Sequence, residues 1–140
     1  MVSNILLTPL ASISVEGGSV KHFLKSNECS FLGFGEAYFS FVEFGKIKAW
    51  KMHTKMTMNL VVPFGNVGFV FHDQSNNSFK EYIIGEENYM RITVPPNIWF
   101  GFKGINLGTN LVANIGDIVH DPKEALKLPI SNFSYDWGDL

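Results

Sequence analysis

The chain has 140 residues, of which 46% are hydrophobic and 17% charged, and its formal net charge at pH 7 is -2. This length and composition are typical of one globular domain and argue against a disordered chain. The small net charge and the lack of a basic run argue against nucleic acid as a partner. The sequence has no apolar run of about 18 residues, so no membrane span is predicted. The single cysteine, Cys29, excludes a disulfide within the chain and favours a reducing, cytoplasmic location.

Short runs of β-branched and aromatic residues, separated by turn residues, predict strands along most of the chain. The dipeptide Gly17-Gly18 predicts an early turn, and Pro63 is expected to end an apolar strand. Because no fixed-period repeat or linker divides the chain, residues 1–140 are expected to form one all-β sandwich or barrel. The predicted strands cover residues 37–42, 47–53, 58–62, 67–72, 79–84, 90–94, 99–102 and 111–115.

One short C-terminal helix is predicted after these strands. Asp121 stands at the N-cap position, Pro122 at the first helical position and Glu124 at the third, which is a capping-box arrangement. Pro129 would end this helix. We expect the helix to lie on the outside of the barrel.

The segment between Gly45 and Gly65 has the spacing of the first metal-binding motif of cupins, which is Gly, five residues, His-x-His, three or four residues, Glu, six residues and Gly. Here the three ligand positions hold Lys51, His53 and Met58. Transition metals prefer imidazole, carboxylate or thiolate ligands, and an ammonium group repels a divalent cation. The sequence therefore resembles a cupin, a double-stranded β-helix or jelly-roll barrel, and predicts a barrel that binds no metal.

A narrower resemblance extends over nearly the whole chain. The stretches LTPLASISVEGGSVKHFL, GEAYFSFVEFGKIKAW, VPPNIWFGFKGI, IVHDPKEA and SYDW resemble the dTDP-4-dehydrorhamnose 3,5-epimerase group of cupins, and especially its shorter, divergent relatives. The resemblance implies a homodimer without cofactors that acts on a nucleotide-linked 4-keto-6-deoxy sugar in surface-polysaccharide biosynthesis. In that family a His paired with an Asp removes a proton beside the ketone, a Tyr is the acid, and Lys or Arg holds the enolate or the phosphates.

The sequence departs from the family at the catalytic positions. Residues 48–51 match the family's Arg-Gly-x-His stretch, so Lys51 replaces the catalytic His, and Phe100 replaces a second His. The position of the acid Tyr falls near residues 113–114, an Ala and an Asn, which cannot act as the acid. Asp117 matches the acid of the family's Thr-Asp-Tyr-Tyr stretch. Tyr38 and Tyr89 are the alternative tyrosines.

The candidate site residues follow from strand alternation and side-chain chemistry. Lys51, His53 and Lys55 alternate, so on a strand they share one face. If this face lines the barrel, apolar surroundings lower the pKa of Lys51 and make it a usable base, with His53 as the alternative base or the acid. The predicted catalytic residues are Lys51, His53 and Asp117. The predicted substrate-binding residues are Lys48, Lys55, Asn59, Arg91, Trp99 and Phe100.

Each candidate also has a structural interpretation. Lys51 would be an exposed lysine at the barrel mouth, His53 a buried structural histidine, and Asp117 a turn residue, whereas Trp99 and Phe100 would only pack. Two main functions remain open, and a metal-dependent cupin of the dioxygenase or isomerase kind is a third, weaker alternative. One is an epimerase or isomerase of a nucleotide-linked keto sugar, and the alternative is a non-catalytic sugar-binding or regulatory cupin that has lost the epimerase residues.

Overall fold

The computed structural model describes residues 2–140, and strands dominate its secondary structure. Three single-turn 3-10 helices lie at Val2–Asn4, Ile130–Asn132 and Trp137–Asp139. No helix within residues 2–140 has the length and apolar character needed to cross a membrane. The strands are β1 (Leu6–Pro9), β2 (Ser12–Val15), β3 (Gly18–Lys21), β4 (Glu36–Glu43), β5 (Ile47–His53), β6 (Met58–Phe64), β7 (Asn66–Asp73), β8 (Ser78–Gly85), β9 (Met90–Val94), β10 (Trp99–Gly104), β11 (Thr109–Gly116) and β12 (Ala125–Lys127).

Two five-stranded antiparallel sheets form the body of the protein. One has the order β1-β9-β6-β11-β4 and the other the order β12-β5-β10-β7-β8, while β2 and β3 form a separate hairpin. From β4 onward the chain crosses repeatedly between the two sheets, as in β5 to β6 and β6 to β7. This crossing produces a jelly roll, and the predicted all-β cupin barrel is confirmed.

The main hydrophobic core lies between the two sheets. It includes Val42 and Leu60 from one sheet and Phe69 and Phe71 from the other. Residue Val70 points to the opposite side of β7, because side chains alternate along a strand. There it joins a second cluster with the three tryptophans of the chain, which the C-terminal segment covers. These tryptophans are Trp50, Trp99 and Trp137.

Strand β6 continues past the proline that was expected to end it. The expectation failed because the β6–β11 register shifts between Leu111 and Ala113, whose partners are Phe64 and Val61. Pro63 therefore lies at an irregularity in the ladder, where a residue without an N–H group is tolerated. The short strands β1, β2 and β3 were not predicted, and most of their residues are exposed.

The prediction of a C-terminal helix is wrong. Asp121 caps a single turn, accepting a hydrogen bond from the Lys123 backbone N–H at 2.9 Å, and the chain then forms β12 on the edge of β5. The Glu124 carboxylate bonds to groups on the neighbouring segment instead of capping a helix. The few residues before Pro129 also leave too little length for a stable helix, whereas the edge of β5 offers paired backbone hydrogen bonds.

Candidate functional site

A cavity of about 370 Å³ opens between the two sheets. One wall comes from β4, β6 and β11, and the other from β5, β10 and β12. The polar lining residues of the first wall are Tyr38, Ser40 and Asn114, and those of the second are Lys48, Lys51 and Lys127. The other lining residues are Ala49, Trp50, Met58, Leu60, Phe100, Phe102 and Val112.

Three lysines give the second wall its positive charge. Lys48 is exposed and reaches across to β4, where its Nζ donates to Ser40 Oγ at 3.2 Å and to the Phe41 carbonyl at 2.8 Å. Lys51 is half-buried, and its register partners are Phe100 on β10 and Lys127 on β12. The cross-strand position of Lys127 brings a second ammonium group close to Lys51.

The environment makes the Lys51 ammonium easier to deprotonate than that of an exposed lysine. Burial lowers the pKa of the Lys51 ammonium, and the positive charge of Lys127 lowers it further. The negative charges of Glu124 and Glu36 oppose this effect without overcoming it. The pKa of Lys51 thus lies below its usual range, in the direction expected from the sequence.

A tyrosine lies beside Asn114, the position at which the resemblance places the family's acid Tyr, and it comes from the neighbouring strand β4. Tyr38 and Asn114 are direct register partners on β4 and β11, and the Asn114 side-chain amide donates to Tyr38 Oη at 3.1 Å. The phenol accepts this bond, so its own O–H remains free to donate to a ligand. Burial raises the pKa of Tyr38, which keeps the phenol protonated. This pairing could not be predicted from the sequence, because it depends on the register of two strands that are distant in sequence.

His53 is buried behind the cavity and does not line it. Its Nδ1 bonds to the Glu124 carboxylate, and its ring stacks with Phe100, with the ring centroids 6.3 Å apart. Glu124 also accepts hydrogen bonds from the backbone N–H groups of Lys55 and Met56 at 3.0 and 3.2 Å. Burial raises the pKa of Glu124, but the bonds from His53 and the two amides outweigh it, so this pKa is lowered. The His53–Glu124 pair therefore holds β12, which carries Lys127, against β5.

Two polar candidates belong to buried hydrogen-bond networks outside the cavity lining. Asn59 donates to the Ser30 carbonyl at 3.0 Å and accepts from Thr93 Oγ1 at 2.6 Å. Contrary to the expectation, it is not among the residues that line the cavity. Arg91 is 1% exposed and forms an ion pair with Glu28 at 2.7 Å. Both residues anchor the segment before β4 to the sheet, and the expected contact of Arg91 with a diphosphate has no support in this geometry.

The remaining candidates also lie outside the cavity lining. Lys55 is exposed and follows the end of β5, so it does not share the strand face with Lys51. Asp117 accepts a hydrogen bond from the Thr57 backbone N–H at 2.8 Å, a contact that fits the structural interpretation of Asp117 better than the catalytic one. Trp99 packs in the second cluster. Of the nine candidates, the cavity brings together Lys48, Lys51 and Phe100.

The comparisons with known proteins point to one family, although no family model matches the chain. A curated protein of Haloferax volcanii, the probable low-salt glycan biosynthesis epimerase Agl13, is 27% identical over 112 residues, which cover 73% of this chain and 72% of that protein. The structure of a dTDP sugar isomerase from Desulfovibrio desulfuricans G20 is 32% identical and superposes with a TM-score of 0.91, covering 98% of this chain and 92% of that chain. The chain belongs to the dTDP-sugar isomerases and epimerases of the RmlC-like cupin fold, as a divergent short relative of dTDP-4-dehydrorhamnose 3,5-epimerase.

A more distant structure shares only its fold with the present chain. QdtA, a sugar 3,4-ketoisomerase from Thermoanaerobacterium thermosaccharolyticum crystallised with TDP, is 14% identical with a TM-score of 0.77, and the match covers 91% of this chain and 90% of QdtA. The predicted membership as a short and divergent relative is confirmed. The family comprises sugar isomerases and epimerases, so the reaction of this member must be argued from its cavity.

Proposed function

We propose that this cupin isomerises or epimerises a nucleotide-linked 4-keto-6-deoxy sugar by removing a proton beside the ketone. The observation that carries this proposal is the placement of Lys51 and Tyr38 on opposite walls of one cavity. Lys51 is an amine whose pKa is lowered, and Tyr38 is a phenol whose pKa is raised. A base and an acid on opposite faces of a bound sugar are what stereochemical inversion beside a ketone requires.

The charge of the cavity supports an anionic sugar nucleotide as the substrate. Lys48, Lys51 and Lys127 line it, and none of the lining residues described by the structure carries a carboxylate. The apolar lining suits a deoxy sugar or a nucleobase, and Phe100 and Phe102 offer ring faces. The similar proteins are named as a dTDP sugar isomerase and a probable glycan biosynthesis epimerase, which supports a role in surface-polysaccharide biosynthesis.

The proposed chemistry needs only the residues of this chain. A ketone at C4 acidifies the protons on C3 and C5, because the electron pair left behind is delocalised onto the ketone oxygen. Lys51 lies within the cavity, whereas His53 is buried behind it, so the geometry favours Lys51 over His53 as the group that acts on the substrate. Tyr38 then supplies a proton from the other wall.

The test is solvent exchange at the carbons beside the ketone. The protein is incubated in deuterated water with dTDP-4-keto-6-deoxyglucose, and deuterium at C3 and C5 is followed by NMR. We expect incorporation in the wild-type protein and a loss of about 10²-fold or more in Lys51→Ala and Tyr38→Phe, since one acid–base group contributes this much. Lys55→Ala is the matched control, because Lys55 is exposed outside the cavity.

Each outcome assigns the function differently. If Lys51→Ala and His53→Ala both leave turnover intact, the epimerase or isomerase assignment fails. If saturation-transfer NMR detects binding of the sugar but no deuterium enters, the protein is a sugar-binding or regulatory cupin. That alternative is favoured by the loss of the family's His at Lys51 and at Phe100.

We also propose that the functional unit is a homodimer. Strand β4 is at the edge of its sheet, and Phe39 and Phe41 on its outer face are 68% and 61% exposed. In the β2–β3 hairpin Ile13, Val15 and Val20 are about half exposed. An exposed apolar edge strand tends to associate with other chains, and a second copy of this chain packed on β4 would bury its exposed side chains. Light scattering after size exclusion should give twice the chain mass, and Phe39→Lys should weaken the dimer.

A further inference from the structure

We propose that Lys51 acts as a nucleophile that forms a Schiff base with the ketone of the bound sugar. This inference rests on the proposed function, and it goes further by assigning a covalent bond between the enzyme and its substrate, with Lys51 activating the ketone and Tyr38, in place of Lys51, taking the proton from the adjacent carbon. The resemblance implies a histidine at the position of Lys51, and a lysine there differs in being a primary amine that can form a Schiff base with a ketone. Three features of the cavity support it.

The first feature is the freedom of the Lys51 amine. The two side-chain ion pairs of residues 2–140 are His53–Glu124 and Arg91–Glu28, and neither involves Lys51. In contrast, Lys48 Nζ donates to Ser40 and to the Phe41 carbonyl. The Lys51 amine is therefore available to a ligand that enters the cavity.

The second feature is the protonation state of this amine. Only a neutral amine has the lone pair that attacks a carbonyl carbon, and lysine becomes nucleophilic when it is desolvated or placed beside another cation. Lys51 meets both conditions, because it is half-buried and Lys127 is its cross-strand partner on β12. Both effects lower the pKa of Lys51.

The third feature is the apolar lining around the amine. Phe100 is the β10 partner of Lys51, and Met58 and Leu60 line the facing wall. A site from which water is displaced protects a reactive intermediate from hydrolysis. Such a lining favours the loss of water that converts a carbinolamine into an iminium ion.

The steps balance without an outside reagent. The Lys51 Nζ lone pair adds to the ketone carbon while a proton passes from Nζ to the ketone oxygen, which gives a carbinolamine. Its hydroxyl takes a proton from Tyr38 and leaves as water, so that the C=N iminium and the Tyr38 phenolate remain. The phenolate accepts the proton of the adjacent carbon, and that C–H electron pair forms an enamine. Solvent water protonates the enamine carbon from the other face, the hydroxide that remains adds to the iminium carbon, and the resulting carbinolamine collapses to the ketone and the free lysine.

Reductive trapping tests the covalent bond. The protein is mixed with dTDP-4-keto-6-deoxyglucose and treated with sodium cyanoborohydride, which reduces an iminium ion to a stable amine. We expect one added sugar nucleotide per chain, located on Lys51 by peptide mass spectrometry. Lys51→Arg keeps the charge but forms no imine and should give no adduct. Lys55→Arg should label as the wild type does, and dTDP-glucose, which has no ketone, should give no adduct.

Exchange of the ketone oxygen provides a second readout that does not depend on the reductant. Each cycle through an imine replaces that oxygen with oxygen from solvent, so ¹⁸O from labelled water should enter the ketone faster with wild-type protein than without protein. Lys51→Arg should return this rate to the background, while its circular dichroism and urea midpoint show that it is folded. A wild-type protein that catalyses this exchange supports the covalent step.

The two proposals fail in distinguishable ways. If deuterium enters C3 or C5 but neither an adduct on Lys51 nor catalysed ¹⁸O exchange is found, the Schiff base is overturned and the proposed function stands. If the wild-type protein shows no deuterium exchange, no adduct and no ¹⁸O exchange, the proposed function and the covalent step are both overturned. An adduct that survives in Lys51→Arg would place the reactive amine elsewhere and overturn the assignment to Lys51.

Discussion

The buried contact between His53 and Glu124 predicts a large loss of stability in Glu124→Ala. The carboxylate is 1% exposed and accepts hydrogen bonds from the His53 ring and from the backbone N–H groups of Lys55 and Met56. Truncation leaves the buried His53 ring and the buried Met56 N–H without this acceptor. Breaking a buried pair by removing one partner costs about 3–5 kcal/mol. With a urea m-value of about 2 kcal/mol/M, the unfolding midpoint should fall by roughly 2 M.

The pH dependence of stability provides an independent check on Glu124. Its pKa is lowered in the folded protein, so its contribution is present above the unfolded pKa, about 4.3, and is lost as the pH falls through the folded pKa. Wild-type stability should therefore decline across this acid range more steeply than that of Glu124→Ala. Equilibrium urea unfolding, followed by tryptophan fluorescence at pH 7 and between about pH 3 and pH 5, measures both effects.

Two results would refute this account of Glu124. One is a loss below about 1 kcal/mol at pH 7, which would mean that water or rearranged groups replace the carboxylate. The other is an unchanged slope of stability against pH in the acid range. Glu87→Ala is the control, because Glu87 is exposed and surface substitutions usually change stability by less than about 0.5 kcal/mol.

Three further predictions follow from the cavity and the core. Lys127→Met removes a cation that lowers the pKa of Lys51, so the rise of the deuterium-exchange rate with pH should move to higher pH. A pH–rate profile identical to that of the wild type would exclude Lys51 as the titrating group. Arg91→Met should lower the free energy of unfolding by about 3 kcal/mol in urea denaturation, because it leaves the partners of a buried guanidinium unpaired. An unchanged urea midpoint would contradict the stabilising role of Arg91. Gly35→Ala should destabilise by about 1–3 kcal/mol or more in thermal unfolding, since its Cβ would lie 2.0 Å from the Ile118 backbone carbon; a wild-type melting temperature would show that this backbone yields freely.

The candidate site was only partly accessible from the sequence. The cupin spacing placed Lys51 on the correct strand, and the same stretch named Lys48, which also lines the cavity. The alternation rule failed at Lys55 because β5 ends at His53. Asn59 was expected in the pocket because it interrupts an apolar run, but polarity alone does not distinguish a cavity from a buried hydrogen-bond network.

Glu124 shows why local sequence signals can mislead. Its position three residues after Asp121 is a valid helix-start pattern, and the turn at Asp121 does form. However, the energy gained from pairing with the edge of β5 and from three donors on a distant segment exceeds that of a short helix. The signal was local, whereas the contacts that decided the structure join residues about 70 positions apart.

The sequence by itself determined β4 to β11, and its resemblance to the family places a lysine where that family has a catalytic histidine, because strand alternation and motif spacing are properties of neighbouring residues. Only the tertiary structure decided what surrounds Lys51. The register of β4 on β11 brings Tyr38 to Asn114, and that of β12 on β5 brings Lys127 to Lys51. These pairings depend on how the whole jelly roll closes, since a shift of one residue would turn either side chain to the opposite face of its sheet.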